Sequence, residues 1–391
     1  MESIGVAVIG AGMAGRSHAF AYRNAQTVFG KEAPPVRLVA IADLNEEFAQ
    51  ATAHRYGFER AEDSWQALLK APDVDAVSIV VANHVHREIA EAFLAAGKHV
   101  LCEKPLADTV ENAEVMVAAA QDSSAVSACG FSYRRAPAVA AIASEISSGT
   151  LGEILQFDGS YWCDYAADPD SPHSWRYSGP LGSGALADLG SHLIDIAEML
   201  CGPIAAISGA HLPITIASRP RPLGSALGHA GGIEVSSERD PVTNEDIAAF
   251  MAEFASGASG TFSISRITRG HANDLAFSVF GSRSAARFDV SRPAEFSFVD
   301  DTVPARINGW RRVVIGAEHP YIAAGQAMPF AGVGHGVQDF FTYQARAFLD
   351  KIAGLDRLPA PATFEDGLRN LRIQEAIAQA GHSGQRQEVP Q

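Results

Sequence analysis

The sequence is short of cysteine, of charge and of long apolar runs. Its four cysteines, Cys102, Cys129, Cys163 and Cys201, are scattered through 391 residues. That spacing gives neither the close pairs of a zinc site nor the density of a disulfide scaffold, so buried thiols in a reducing compartment are expected. No apolar run approaches the roughly 18 residues of a membrane span. The chain also enters the apolar stretch Ile4–Ile9 with no basic segment ahead of it, so no secretory signal is read and a cytoplasmic protein is expected. Thirty basic residues face 45 acidic ones, a formal charge of -15. Nucleic acid and anionic membrane both require a Lys/Arg footprint, so neither is expected as a partner. The histidines are dispersed and none sits in the helical glutamate pattern of a zinc protease, so no metal is expected.

What is present is a change of pattern along the chain. At 391 residues, one ordinary core is too small a solution, and two or three domains are expected. Short apolar runs at Ile4–Ile9, Val36–Ala42, Ala76–Ala82, His99–Cys102 and Val126–Phe131 alternate with helix-period segments at Met13–Val28, Ser64–Lys70, Arg87–Ala96 and Val110–Ala120. Apolar strands separated by helices predict a parallel sheet covered on both faces. After a helix at Pro137–Ser148, strand-length segments follow with few helices between them. They lie at Ile154–Trp162, Ile204–Leu212, Asp246–Phe254, Ser259–Ile267, Leu275–Phe280 and Ala286–Val290, with an edge strand at Arg311–Ile315. An α+β domain with a large, mostly antiparallel open sheet is expected. Arg219–Thr243 and Glu318–Gly336 read as long loops. Helices at Val337–Ile352 and Phe364–Ala380 close the chain. The expected division is 1–132, 133–362, and a helix and tail at 363–391 returning to pack near the first domain.

The first strand leads directly into Gly10-Ala11-Gly12-Met13-Ala14-Gly15. In this GxGxxG arrangement Gly10 permits a tight turn, Gly12 lets backbone approach a pyrophosphate, and Gly15 lets helix and strand pack closely. The helix start supplies N–H groups to the phosphates. Asp43 ends the second strand, where a carboxylate binds ribose hydroxyls and repels a 2′-phosphate. Leu44 and Asn45 after it offer no cationic clamp, so NAD is favoured over NADP. Capping of the next helix is the other role open to Asp43. Asn83, His84 and His86 follow the Ala76–Ala82 strand on the ligand side of the sheet. Asn83 is a candidate for the nicotinamide side or a helix cap, and His86 for ribose or a helix-start surface position.

Glu103-Lys104-Pro105 stands at the end of the His99–Cys102 strand. Proline restricts the residue before it to extended backbone, which anchors Lys104 at the sheet edge. Its ammonium is suited to a substrate hydroxyl that becomes an alkoxide as hydride leaves. Glu103 is a candidate to orient that ammonium or to bind ribose. Downstream of the glycine run Gly182-Ser183-Gly184, Asp188 and His192 are four residues apart, and at that spacing both leave one face of a helix. Imidazole titrates near neutrality, which makes His192 the candidate proton acceptor. Asp188 either orients it or binds a substrate hydroxyl. Helix capping and an interior histidine are the alternatives.

Together GAGMAG, Glu103-Lys104-Pro105 and the Asp188-Leu-Gly-Ser-His192 helix resemble the family of glucose-fructose oxidoreductase, inositol 2-dehydrogenase and rhizopine-catabolism proteins over essentially the whole chain. The resemblance implies a Rossmann dinucleotide-binding domain, then an α+β domain whose open sheet serves as an oligomer interface, giving a homodimer or homotetramer. It implies NAD-linked transfer of hydride between a sugar or cyclitol hydroxyl and the cofactor. The stretches Ala82-Asn83-His84-Val85-His86, Phe131-Ser-Tyr133-Arg134-Arg135 and Ser174-Trp175-Arg176-Tyr177 are similar to members acting on pyranose rings, although Ala82 stands where many relatives have proline. Carried onto this chain, Trp175 and Arg176 cover the nicotinamide end, Tyr133 borders the sugar, Arg134 positions cofactor or substrate, and His335 joins from a late loop. The same resemblance leaves an inositol 2-dehydrogenase open, differing in ring contacts around Trp162, Asp164, Tyr165 and the late loop. A sugar oxidoreductase that retains its cofactor and a non-catalytic NAD-sensing module are further alternatives.

Overall fold

The computed structural model describes residues 3–30, 33–224, 234–323 and 328–390. They pack as two units, residues 1–135 with 316–371 and residues 136–315 with 372–391. The first break falls within three residues of the expected position at 132. The expected boundary at 362 differs, because 316–371 packs with the first unit. Helix Val337–Ile352 places Ala345, Phe348 and Leu349 in one core with Val6, Val8, Ala19 and Tyr22. Phe364, Leu368 and Leu371 enter another with Val77 and Val100. The buried Arg135 guanidinium donates to the carbonyls of Pro359 and Ala360 at 2.5 and 2.6 Å.

The first unit is built on six parallel strands, β1 (Ile4–Ile9), β2 (Val36–Ala42), β3 (Arg60–Glu62), β4 (Ala76–Ile79), β5 (His99–Cys102) and β6 (Ser127–Cys129), in the order β3-β2-β1-β4-β5-β6. Every residue of β1 and β4 is buried, as helices on both faces require. One helix, Glu46–Tyr56, and β3 after it are absent from the sequence expectation. Their punctuation is present all the same: the Asn45 side chain accepts from Phe48 N–H, acids open the helix, and Gly57 closes it at φ 76°. Its mean hydropathy is low and only Ala49, Thr52 and Ala53 are buried, so the apolar stripe is faint.

The second unit carries β7 (Ile154–Trp162), β8 (Ile204–His211), β9 (Ser218–Pro222), β10 (Val235–Pro241), β11 (Ile247–Phe254), β12 (Ser259–Ser265), β13 (Asp274–Gly281), β14 (Ser284–Asp289), β15 (Glu295–Asp300), β16 (Arg311–Val314) and β17 (Gln387–Glu388). Nine of them form a sheet in the order β16-β15-β14-β13-β7-β12-β11-β8-β17. Only β7 and β12 pair in parallel. The remaining pairs are antiparallel, as expected. The span Arg219–Thr243, read as a loop, instead holds most of the antiparallel pair β9 and β10. Two prolines in β9 conceal it from pattern reading, and a two-stranded ribbon tolerates them because both strands are edges. Residues 225–233 of that span lie outside the described residues.

Alternation divides the nine-stranded sheet into an aromatic face and a polar one. On the first, Phe250 stacks on Phe262 at 4.5 Å between centroids, Phe262 on Phe157 at 5.2 Å, and Phe157 on Phe277 at 5.7 Å. Gly159 pairs with Phe277 in register, and a Cβ there would come within 2.9 Å of Leu193. Helix Ser191–Cys201 therefore sits close against this face. The Phe262→Ala variant is expected to lose about 3–5 kcal/mol of stability, read as a lower urea midpoint at an unchanged slope.

Candidate functional site

The strand-to-helix turn after β1 is shaped by contacts that only glycine allows. Gly10 has φ 106°, and a Cβ on it would lie 2.2 Å from the Val80 carbonyl oxygen. A Cβ on Gly15 would lie 1.8 Å from the Gly10 carbonyl, so helix Met13–Phe29 can pack this closely only with glycine there. Around Gly12 there is no atom within 4 Å of a Cβ position, and no side chain caps the helix start. An open backbone and uncapped N–H groups suit a pyrophosphate. Met13 is half-exposed at the mouth of this turn, with Ala14 beside it.

Asp43 touches the same turn. One carboxylate oxygen accepts from Ala11 N–H at 2.7 Å and the other from Asn45 N–H at 2.8 Å. Asn45, not Asp43, caps the following helix. Asp43 thus ties the end of β2 to the glycine turn while staying half-exposed. Asn83 is also half-buried, in a single helical turn after β4, and His84 beside it is exposed.

His86 differs from its expected role. It is 1% exposed, with Nε2 3.0 Å from the Val81 carbonyl and Nδ1 3.2 Å from those of Pro105 and Leu106. Burial pushes the imidazole below its usual range, opposed by these carbonyls. The ring braces the segment after β4 against the segment after Lys104, and its enclosure removes it from ribose. Glu103 is likewise enclosed. It meets His18 Nε2 at 2.9 Å and accepts from Lys104 N–H at 3.1 Å, while His18 Nδ1 meets Ser78 Oγ at 3.0 Å and Tyr22 meets the same hydroxyl at 2.8 Å. Sequence reading did not select this buried chain, although His18 lies only three residues past Gly15. Lys104 itself is half-buried.

Tyr133 is buried with its ring edge-on to Phe340, and Arg134 is half-buried, 3.4 Å from Asp366. His335 shares a 2.7 Å hydrogen bond with the Tyr343 hydroxyl, and burial pushes its imidazole down. All of these residues belong to the first unit.

In the second unit Leu186–Gly190 forms a π-helical turn that runs directly into helix Ser191–Cys201. Such wider turns recur at functional sites. Asp188 lies in the π turn, half-buried, and accepts from the Tyr165 hydroxyl at 2.7 Å. Burial and the Asp188 charge both push the Tyr165 phenol up. His192 is 6% exposed, with the Tyr161 ring 6.3 Å from its own. Cys163 is buried beside them, its thiol pushed up to about 12 by burial and the Asp188 charge. Asp164 accepts from Gly270 N–H at 3.3 Å. Trp175 is exposed, with the Arg176 guanidinium 4.5 Å from its ring.

Trp162 requires a correction. Its indole donates to Ser263 Oγ at 3.1 Å and lines a cavity of about 470 Å³ with Asp158, Ser160 and Arg287 on the polar face of the sheet. Strand alternation sends it opposite to Tyr161, so Tyr161 is the neighbour of His192. The segment Asn244-Glu245-Asp246 was also missed. All three are fully buried; Asp246 pairs with Arg266 at 2.9 Å, and Asn244 donates to the Arg176 carbonyl at 3.0 Å. Asn244 and Glu245 fall between the expected loop and the expected strand at Asp246–Phe254, and only burial distinguishes the three. Among the described residues no group of three His, Cys, Asp or Glu is placed to hold a metal, and no helix is long and apolar enough to cross a membrane. None of the four cysteines forms a disulfide, and all are buried.

Two family profiles cover most of the chain. One described as an oxidoreductase family with an NAD-binding Rossmann fold matches residues 4–131, and the GFO/IDH/MocA C-terminal domain matches residues 139–287. Levoglucosan dehydrogenase of Pseudarthrobacter phenanthrenivorans is 37% identical over 100% of this chain and 99% of its own. An inositol 2-dehydrogenase of Rhizobium meliloti is 30% identical over 73% of this chain and 76% of its own. A solved structure of levoglucosan dehydrogenase in complex with NADH superposes with a TM-score of 0.90 at 33% identity, covering 100% of both chains. The complex with NADH and levoglucosan gives 0.89 at 34%, also covering 100% of both chains. Gly15→Ala is expected to weaken NADH binding at least about tenfold in a fluorescence titration, because the clash with Gly10 moves the helix start off the phosphates.

Proposed function

The chain belongs to the GFO/IDH/MocA oxidoreductase family and binds NAD, and from that premise we propose that it oxidises a secondary hydroxyl of a pyranose sugar or sugar derivative to a ketone. What carries this reading is, in the first unit, an open glycine turn tied to Asp43 and, in the second, a π turn holding Asp188 that runs into the helix of an enclosed His192. NAD, when bound, supplies the hydride acceptor. Gly10, Gly12, Met13, Ala14 and Gly15 would hold its pyrophosphate, Asp43 its adenosine ribose, and Asn83, Arg134, Trp175 and Arg176 its nicotinamide half, while Glu103 steadies Lys104 through its N–H.

Lys104 donates a hydrogen bond to the reacting oxygen and favours the alkoxide. His192 accepts the hydroxyl proton. Asp188 binds a neighbouring hydroxyl, its charge shared with the Tyr165 phenol. The Tyr165 hydroxyl, which donates to Asp188, belongs with Tyr133, Asp164 and His335 among the residues proposed to contact the sugar. A cyclitol is the second reading, supported by the inositol 2-dehydrogenase relative over about three quarters of the chain. The polar face of the nine-stranded sheet is the surface proposed to bury a second copy in a homodimer or homotetramer.

Reduction of NAD is to be followed at 340 nm with levoglucosan, D-glucose, D-xylose and myo-inositol, in parallel with NADP. Turnover of a pyranose with NAD is the expected outcome; reaction with inositol alone moves the reading to cyclitols, and no turnover of any of these four sinks the substrate class. Lys104→Ala and His192→Ala are each expected to lower kcat by about 10²–10⁴-fold. Near wild-type turnover in either variant removes that residue from the mechanism.

A further inference from the structure

A helix start leaves backbone donors that have no partner within the helix. Where the segment Gly182–Leu186 leads into the π turn and helix that carry Asp188 and His192, one side chain takes three of the segment's N–H groups. Glu245 is 0% exposed. Its Oε2 accepts from Gly182 N–H at 2.7 Å, and its Oε1 from Gly184 N–H at 3.0 Å and Leu186 N–H at 2.9 Å. Its own carbonyl accepts from Ala185 N–H at 3.0 Å. The approach is closed by space as well, since a Cβ on Gly184 would lie 2.3 Å from that carbonyl oxygen. Both neighbours are engaged too. Asn244 holds the Arg176 carbonyl, and Asp246 holds Arg266 together with the N–H groups of Thr215 and Ile216. Glu245 is therefore fixed from both sides.

We propose that Glu245 is a positioning residue, whose carboxylate sets the height and rotation of the π turn and so the placement of Asp188 and His192. The inference rests on the reading of those two residues as the groups that meet substrate. A carboxylate is suited to the task because both oxygens are acceptors only, and three N–H groups converge on them. An amide of the same shape turns an NH₂ toward one of those donors and loses that hydrogen bond. The start of the run then shifts, although a helix can still form.

The test compares Glu245→Gln with His192→Asn and the double variant, using NADH fluorescence for binding and NAD reduction with the fastest sugar of the panel above. Glu245→Gln is expected to bind NADH within about twofold of wild type and to lose kcat at least about tenfold. The double variant is expected to be no slower than His192→Asn alone, because one loss acts through the other. A stabilising role alone would leave kcat per folded molecule unchanged or multiply independently into the double variant, and either result overturns the proposal. If His192→Asn keeps wild-type turnover, the catalytic reading falls and this inference with it. If His192→Asn is inactive while Glu245→Gln is fully active, only the inference falls. Should Glu245→Gln not fold, Glu245→Asp, which keeps two acceptors on a shorter arm, is judged by the same comparison.

Discussion

Backbone donors turned inward must meet acceptors, and in this protein acidic side chains meet many of them at the turns that matter. Asp43 takes the N–H groups of Ala11 and Asn45, Asp75 that of Gly5, Glu103 that of Lys104, and Glu245 those of Gly182, Gly184 and Leu186. Each of these links fixes a turn or a strand end that carries candidate site residues or lies next to them. A charged acceptor makes a shorter and stronger hydrogen bond than a neutral one, so a few carboxylates suffice to hold irregular backbone in one geometry. The excess of acid over base in the composition is thus partly internal architecture.

Glycine is the complement of that device. The contacts of Gly10 with Val80, of Gly15 with Gly10 and of Gly184 with Glu245 are all too close for any side chain. The first two bring a helix start to a strand end in the first unit. The third brings a helix start to a buried carboxylate in the second. In both units, then, a close approach that only glycine permits lies beside backbone N–H groups held by an acid.

Much of this was legible because it is local or periodic. The run IGVAVIG before GAGMAG announces a buried strand and a tight turn, and the alternating apolar residues of Ser259–Ile267 announce a strand with one covered face. Where local signals were weak or contradictory, reading failed. The Glu46–Tyr56 helix has good caps but little apolar stripe, and β9 contains two prolines. Trp162 was carried over as a ring contact from the family resemblance, whereas strand parity sends Tyr161 toward His192. His86 shows the limit most clearly: it follows a strand as read, but its two nitrogens face carbonyls and the ring is enclosed.

By itself the sequence determined the elements whose causes lie within a few residues: the glycine turn, the parallel strands with most of their helices, and the helix that carries His192; the π turn at Asp188 was not legible in it. It determined the family for the same reason, since those motifs are short and contiguous. Only the tertiary structure decided which acid caps which turn, that residues 316–371 complete the first unit, and that Asn244-Glu245-Asp246 is buried. Those outcomes depend on groups far apart in sequence, about 60 residues between Glu245 and the helix start it holds. A buried acceptor and an exposed one look alike in sequence until packing has removed the water from one of them.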